Sequence, residues 1–536
     1  MNIIGRVNEV NLVLKIIIIV LSIVSITLLS LTSEIFTDKS DSLQNPVIVN
    51  ISIPFLLLSI ILFLFSFQIS NKYAINLDYP SRLNSKKGTI KLGKILHNNR
   101  VKHNFYLNFS DLSQHMFVCG ITGTGKSNFV QHFLLNFSKV YDIPFLLTEF
   151  KGEYQFLQKQ INNLLIIKPG ENFSINIFDP EGSNTQIHAE RIFQIFESGG
   201  LFEGVEYSPQ MERVFVDILN EVCIKEDTRN WDWFNKISEK YSVENKDFTF
   251  QKSVAAIQNR IRRYSVGTLK DIFTKKTGAN VKELFNHRVL LDLSSIIRLG
   301  GEKEDALFFL NMILKYLWDR NIEIGSKDYD GIKHITIIED AQYYAPEEFS
   351  NRTKITSYIE DIALLLRGTG ECLISLATRP KISREILANC GVFVSFQNHM
   401  QKDIMQELLN LEEKQKEYLS MLRKGQCIIR VNSIERPFLL RTPNVERSWL
   451  DDKEISENNK KILENKFYNL KNEIDIEKEV NVMETSKSFC KVCGKKLNNN
   501  SEYCEYCSAN LGEDESFERL RAYIKKLYKE QQKQKS

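Results

Sequence analysis

The sequence has little net charge and shows no sign of a disulfide framework. Its 70 Lys and Arg residues nearly balance 67 Asp and Glu residues, which leaves a formal net charge of +3. A chain this close to neutral has no general attraction to nucleic acid, so any basic surface must be local. Five of the cysteines are scattered, which does not fit a small secreted fold held by disulfides. They are Cys119, Cys223, Cys372, Cys390 and Cys427.

Two long apolar runs near the N terminus predict a membrane anchor within residues 1–75. The runs cover residues 12–31 and 47–67, and each is long enough to cross a hydrocarbon core of ~30 Å as a helix. A signal peptide is the alternative for the first run. That alternative is disfavoured because no small-x-small cleavage site follows and a second run comes soon afterwards.

The charges around these runs predict their orientation. Arg6 and Lys72 lie on the outer sides of the pair, whereas the linker between the runs carries Glu34, Asp38 and Asp41. The positive-inside rule then places both termini in the cytoplasm. We therefore expect a multi-pass protein of the cell membrane with two spans and with the membrane as a partner.

A glycine-rich segment, GITGTGKS at residues 120–127, matches the P-loop pattern G-x-x-x-x-G-K-[ST]. It stands between an apolar run at 116–119 and apolar residues at helical spacing, so a strand precedes it and a helix follows. Backbone amides at such a helix start hold phosphates; Lys126 would reach the β- and γ-phosphates, and Ser127 would bind Mg²⁺. The predicted ATP-binding residues are Gly120, Ile121, Thr122, Gly123, Thr124, Gly125, Lys126, Ser127 and Asn128.

Acidic residues end two further predicted strands. Residues 335–338 are followed by Glu339 and Asp340, and residues 144–148 are followed by Glu149. Glu339 can hold Mg²⁺ while Asp340 polarises the attacking water, because the metal and the base need separate groups. The Glu-then-Asp order reverses the usual one and leaves these two roles open. A solvated turn is the alternative reading of Glu149.

The alternation of strands and helices predicts an α/β fold, a P-loop NTPase of the RecA-like kind with a mainly parallel, doubly wound sheet. We expect a short β-rich segment at 76–112 and the ATPase domain at 113–445. A charged, helical stretch at about 187–285 is predicted to be an insertion. Its Arg260, Arg262 and Arg263 either contact phosphate or form a solvated helix face.

Four stretches in order resemble the HerA branch of the HerA–FtsK ATPase superfamily. They are residues 112–120, 149–154, 337–342 and 367–370, the last running on to an Arg-Pro pair at 379–380. The resemblance covers about two-thirds of the chain in outline. It implies an ATP-driven hexameric ring that moves double-stranded DNA through a central pore. Little room is left at the N terminus for the β-barrel found in that family.

The resemblance also implies catalytic roles beyond Lys126, Glu339 and Asp340. Glu149 falls where the family has an acid after the second strand, and Arg367 falls where it has an arginine finger that reaches the neighbouring subunit's nucleotide. Thr378 stands where the family usually has a sensor glutamine, and Gln114 where an arginine often precedes the histidine. These two departures affect nucleotide sensing more than nucleotide binding.

The C-terminal part predicts a charged linker at 446–488, a zinc ribbon at 489–511 and a basic amphipathic helix at 512–536. Two C-x-x-C pairs supply four thiolates for tetrahedral Zn²⁺, and metal binding would provide most of the folding energy of so short a segment. The predicted ligands are Cys490, Cys493, Cys504 and Cys507. The final helix either docks a partner or is simply solvated.

Two interpretations of function remain open at this stage. The first is a membrane-anchored DNA translocase or pump. The second is an ATPase that does not translocate and serves as a sensor or assembly platform for a nuclease or other effector, for example in defence against phage. A protein-export motor is a weaker third interpretation. The fold does not decide among the three, because a fold by itself does not determine function.

Overall fold

The structure is a computed structural model that describes most of the chain between residues 75 and 464. The described ranges are 75–198, 209–244, 247–267, 269–274, 280–325, 331–347 and 358–464, with single positions at 17, 19, 20, 23, 57, 58, 60 and 61. The chain divides into two compact units, Met1–Asn459 and Lys460–Ser536. The elements named below belong to the first unit; of the second unit only 460–464 are described.

The strands and helices alternate through most of the first unit. The strands are β1 (Ile90–His97), β2 (Arg100–Leu107), β3 (His115–Cys119), β4 (Phe145–Glu149), β5 (Leu164–Ile167), β6 (Arg288–Asp292), β7 (His334–Ile338), β8 (Glu371–Ala377), β9 (Cys390–Ser395), β10 (Gln426–Val431) and β11 (Phe438–Arg441). The α-helices are α1 (Arg82–Ser85), α2 (Lys126–Val140), α3 (Thr185–Ser198), α4 (Pro209–Ile224), α5 (Trp231–Glu244), α6 (Phe248–Ser265), α7 (Val281–Leu284), α8 (Ser294–Arg298), α9 (Lys303–Ile324), α10 (Tyr358–Leu365), α11 (Arg384–Ala388), α12 (Lys402–Leu409) and α13 (Tyr418–Met421). Short 3₁₀ helices occupy Phe109–Ser113, Gln155–Lys159, Glu226–Thr228, Lys270–Phe273, Ala341–Tyr343, Leu366–Thr369 and Glu413–Gln415.

The described strands form one sheet of 11 strands in the order β2-β1-β11-β10-β9-β3-β8-β7-β4-β6-β5. Neighbours from β9 to β5 all run parallel. Neighbours from β9 back to β2 all run antiparallel. The predicted mainly parallel sheet is therefore confirmed, with a four-strand antiparallel extension on one side.

The central strands are buried along their whole length because both faces of the sheet are covered. Every residue of β3, β4, β6, β7 and β8 is buried. Helix α2 packs its apolar stripe into the same core through Phe129, Phe133 and Phe137. Since β3, β8, β7 and β4 are consecutive in the sheet, the loops that follow their carboxyl ends meet at one edge, where ligands bind in open α/β sheets.

Helices α3 to α6 fill the segment between β5 and β6, where the insertion was predicted. Aromatic contacts tie them to α9, as in the stacking of Phe196 on Phe308 with ring centroids 4.3 Å apart. Arg263, one of the three arginines considered for phosphate contact, instead forms ion pairs with Glu302 at 3.1 Å and Asp305 at 2.6 Å.

The predicted localisation as a two-span membrane protein is wrong. Within the part of the chain that the structure describes, no helix is both long and apolar enough to cross a membrane. The 22-residue helix α9, for example, carries Lys315 and Asp319 along its length and lies inside the ATPase fold. The two apolar runs at 12–31 and 47–67 lie outside the described residues, except at the single positions given above.

The predicted linker and zinc ribbon lie almost entirely outside the described residues. Residues 452–459 are helical, and the four cysteines from Cys490 to Cys507 are not among the described positions. In the described ranges, no cluster of three or more His, Cys, Asp or Glu side chains is arranged to hold a metal ion. The zinc site therefore stays a prediction from the sequence.

Candidate nucleotide-binding site

A cavity of about 250 Å³ opens at the carboxyl edge of the parallel strands. The loop after β3 and the first turn of α2 supply Thr122, Gly123, Gly125, Lys126, Ser127 and Asn128. The end of β8 and the loops after β4, β7 and β8, with two positions near the C-terminal strands, supply Lys151, Glu153, Glu339, Asp340, Leu376, Thr378, Lys424 and Arg447. Residues from distant parts of the sequence thus meet around one small space.

The loop between β3 and α2 has the backbone that a phosphate cradle requires. Gly120 and Gly125 adopt φ values of 154° and 123°, which other residues rarely adopt. A Cβ at Gly120 would also lie 2.6 Å from the Cβ of Phe396. Helix α2 begins at Lys126, so its unpaired amides and positive dipole end face the cavity.

Lys126 is the first residue of α2, directly after this loop. Its Nζ donates hydrogen bonds to the carbonyl oxygens of Gly120 at 2.6 Å and Ile121 at 3.4 Å. Burial lowers the pKa of its ammonium group. The side chain is thus held by two carbonyl oxygens of the loop, and an anion placed in the cradle would compete with them for it.

Ser127 and Glu339 form the pair of oxygen groups best placed for a divalent cation. The hydroxyl of Ser127 donates to Oε1 of Glu339 at 3.0 Å, and the hydroxyl of Tyr154 donates to the same oxygen. Burial raises the pKa of Glu339, while the hydrogen bonds from Tyr154 and Ser127 and the charge of Lys151 oppose that rise. One hydroxyl and one carboxylate fit Mg²⁺, which takes few protein ligands and completes its shell with phosphate and water.

Asp340 follows directly and has a different environment. Its backbone is left-handed, with φ 52° and ψ 41°, a conformation that is uncommon for a residue other than glycine. Lys151 lies 3.4 Å from its Oδ2, and Gln342 donates to its Oδ1 at 3.2 Å. Although burial acts to lower the pKa of Lys151, the charge of Asp340 raises it. Asp340 is therefore an ion-paired carboxylate at the cavity, whereas Glu339 is a buried one beside Ser127.

Thr378 lines the cavity at the end of β8. Its backbone N–H donates to Oε1 of Gln342 at 3.2 Å, and Gln342 in turn holds Asp340. A glutamine thus connects the ends of β7 and β8, although it comes from the β7 loop and not from position 378.

Glu149 is fully buried and does not line the cavity. It accepts hydrogen bonds from the backbone N–H groups of Glu153 at 2.6 Å and Tyr154 at 3.3 Å. Burial, together with the nearby charge of Asp292, raises its pKa. Glu149 therefore folds the loop that carries Lys151 to the cavity and Tyr154 to Glu339.

Arg367 lies on the 3₁₀ helix Leu366–Thr369, with its side chain exposed and outside the lining of this chain's own cavity. The position is available to a neighbouring molecule. Its role as an arginine finger stays a prediction.

Several lining residues were missed from the sequence. Lys424 precedes Gly425, whose N–H donates to the carbonyl of Thr124 at 2.8 Å. Asn128 binds the chain after β11 twice, through the carbonyl of Pro443 at 2.8 Å and the N–H of Val445 at 2.9 Å. This attachment brings Arg447 to the cavity. Arg447 lies some 300 positions from the P-loop and belongs to no motif, so the sequence around it does not indicate a nucleotide-binding role.

Comparison with known proteins agrees with this geometry. Residues 90–335 match the family described as "Helicase HerA, central domain". Two similar proteins are both named "DNA double-strand break repair helicase HerA". The one from Sulfolobus acidocaldarius is 26% identical over 399 residues, which is 68% of this chain and 74% of that protein. The one from Sulfurisphaera tokodaii is 24% identical over 409 residues, covering 70% and 76%.

Among solved structures, VirB4 of Thermoanaerobacter pseudethanolicus has a similar fold. The TM-score is 0.51 at 13% identity, and the match covers 67% of this chain and 98% of that one. At this identity the likeness concerns the fold. Taken with the P-loop, the buried Glu339 and the parallel sheet, these comparisons show that the chain has a RecA-like P-loop ATPase fold whose residues 90–335 are similar to the central domain of HerA helicases.

Proposed function

We propose that this protein is an ATP-hydrolysing motor that moves double-stranded DNA and works as a ring of subunits. The observation that carries the proposal is the convergence of Lys126, Ser127, Glu339 and Asp340 on one cavity in a chain similar to HerA helicases over most of its described length. The names of those relatives associate them with DNA, which supports DNA as the substrate here.

Each cavity residue has a distinct part in the proposed reaction. The amides of the loop and Lys126 bind the phosphates of ATP, and Ser127 and Glu339 would hold Mg²⁺, which neutralises charge on the β- and γ-phosphates. Glu339 suits the metal because it shares a 3.0 Å hydrogen bond with Ser127. Asp340 then positions and polarises the attacking water, with Lys151 and Gln342 fixing its carboxylate.

In the proposed ring, the adjacent subunit contributes a residue to each nucleotide-binding site. Since Arg367 is exposed and away from its own cavity, we assign it to the nucleotide of the adjacent subunit, where an arginine can speed phosphoryl transfer by ~10³-fold or more. A hexamer is the ring size that the resemblance to HerA favours. Lys424 and Arg447 supply positive charge from the same subunit.

The test is the ATP turnover of the purified oligomer, with its mass measured, against increasing duplex DNA of unrelated sequences. We expect stimulation that falls steeply with salt, because each phosphate contact releases counterions, and little dependence on base sequence. The Lys126→Ala variant is the control for contaminating ATPases. If ATP turnover does not change with DNA concentration and no DNA is bound at low salt, the result would instead favour an ATPase that acts as a sensor or assembly platform.

A further inference from the structure

A second open cavity, of about 630 Å³, lies at the other end of the sheet, between the β1–β2 hairpin and α1. We call it the hairpin groove and define it by Tyr79, Arg82, Lys86, Lys94, Lys102 and His103. Its lining contains no carboxylate, whereas the nucleotide cavity contains three. In a chain of nearly balanced charge, this is a local basic surface.

The cations of the groove form no ion pair with a carboxylate among the described residues. The side chains of Arg82, Lys86, Lys94 and Lys102 are exposed, and each is without a carboxylate partner in that part of the chain. Asp78, the acid adjacent to the groove in sequence, is already paired with Arg436. Burial lowers the pKa of His103, and Arg82, Lys102 and Lys86 lower it further. The positive charge of the groove is therefore not neutralised by ion pairs within that part of the chain.

The groove also offers an aromatic surface. Tyr79 is 39% exposed, and its ring centroid lies 4.8 Å from that of His97 and 6.2 Å from that of His103. The Nζ of Lys102 lies 5.4 Å from the centre of the Tyr79 ring. An exposed ring beside a row of cations is the combination that binds single strands, because bases stack on the ring while the cations follow the phosphates.

We propose that the hairpin groove binds single-stranded nucleic acid through its phosphate backbone and one stacked base. The choice of nucleic acid, rather than another polyanion, rests on the proposed function as a DNA motor. Strand β3, which leads into the P-loop, is five strand positions from β2, or roughly 24 Å at the usual strand spacing. The groove is thus a contact separate from ATP hydrolysis, suited to a displaced strand or a DNA end.

The experiment measures binding of a fluorescent oligothymidylate to the full chain by anisotropy at several salt concentrations. Lys86→Gln with Lys102→Gln should weaken binding at least tenfold and reduce the slope of log K against log salt by about 1.4, since each contact to a single strand contributes about 0.7. Tyr79→Leu should weaken binding roughly tenfold and leave the slope unchanged, because stacking releases no counterions. Basal ATPase activity should persist in all variants. This activity serves as the control that the variants are folded.

Lys225→Gln with Lys252→Gln is the matched control, since both lysines are exposed on the helical segment away from the groove and the change in charge is the same. The proposal is overturned if the groove and control variants bind the oligonucleotide equally, or if the wild-type chain does not bind it. It is also overturned if the Lys86/Lys102 change abolishes binding to phosphatidylserine vesicles and leaves oligonucleotide binding intact. Duplex-stimulated turnover is read separately, so the motor proposal can stand while the groove fails, or fail while the groove stands.

Discussion

The hydroxyl of Tyr154 should set the strength with which the site holds Mg²⁺. Tyr154 is fully buried, and its hydroxyl donates to the same oxygen of Glu339 that accepts from Ser127. Tyr154→Phe keeps the ring and removes only this donor, so Glu339 stays buried with one hydrogen bond fewer. A hydrogen bond to a charged group contributes ~1.5–3 kcal/mol, and losing a group that orients a metal ligand commonly costs ~10–100-fold in metal affinity.

The measurement is ATP turnover against free Mg²⁺ at saturating ATP. We expect the Mg²⁺ concentration for half-maximal turnover to rise by about tenfold or more in Tyr154→Phe, with a smaller change in maximal turnover. Loss of this hydrogen bond also raises the pKa of Glu339 further above its already raised value. The carboxylate then takes up a proton at a higher pH, so the acid side of the pH–activity profile should move upwards.

Tyr344→Phe is the matched control. Tyr344 is another buried tyrosine near these carboxylates, but its hydroxyl has no hydrogen-bond partner among the described residues. Its removal should leave the Mg²⁺ dependence unchanged. The reasoning is refuted if Tyr154→Phe shows the wild-type Mg²⁺ dependence, or if both variants lose Mg²⁺ affinity to the same extent.

Four further predictions concern other parts of the chain. Asp340→Asn should bind ATP normally and hydrolyse it at least ~10²-fold more slowly, as expected for loss of a general base; single-turnover rates near wild type would reject that role. Arg367→Ala subunits mixed with Lys126→Ala subunits should recover part of the activity, because an Arg367→Ala subunit keeps Lys126 and a Lys126→Ala neighbour can supply Arg367 to its nucleotide; no recovery in rings shown to be mixed argues against a finger acting between subunits. Burial lowers the pKa of His132 to about 4, so the unfolded chain binds the extra proton between pH 6.5 and 4 and the free energy of unfolding falls as pH drops through that window. His132→Gln should remove on the order of 1 kcal/mol of that fall in urea titrations, a figure reduced for partial exposure of the ring. Metal analysis should find about one Zn²⁺ per full chain and none in a chain ending before Ser488; full zinc occupancy in the shorter chain would exclude the ribbon.

The sequence was most informative where a local pattern carries the chemistry. The P-loop and the acids after β7 could be placed because apolar strands lead into them, and a buried parallel strand is a continuous apolar run. The resulting fold class and the meeting of Lys126 with Glu339 follow from topology alone, since parallel strands end at one edge.

Long-range contacts set the parts that the sequence could not predict. Nothing near Arg447 indicates a nucleotide, because it reaches the cavity only through the attachment of the chain after β11 to Asn128. Glu149 looks like a ligand-facing acid in sequence, yet the sharp turn after β4 directs its carboxylate to the amides of Glu153 and Tyr154. In both cases the contact that positions the side chain involves a backbone group. Since every residue has such groups, the sequence does not show which one will form the contact.

The place of β11 in the sheet has a consequence for how the protein is made. Strand β1 pairs with β2 on one side and with β11 on the other, where Lys94 lies opposite Arg441. On a ribosome adding ~5–20 residues per second, the β1–β2 hairpin waits on the order of tens of seconds for its second neighbour. During that interval one edge of β1 is open to pairing with other chains. The exposed Lys94 then disfavours premature association, and pairing of β11 with β1 completes the antiparallel part of the sheet.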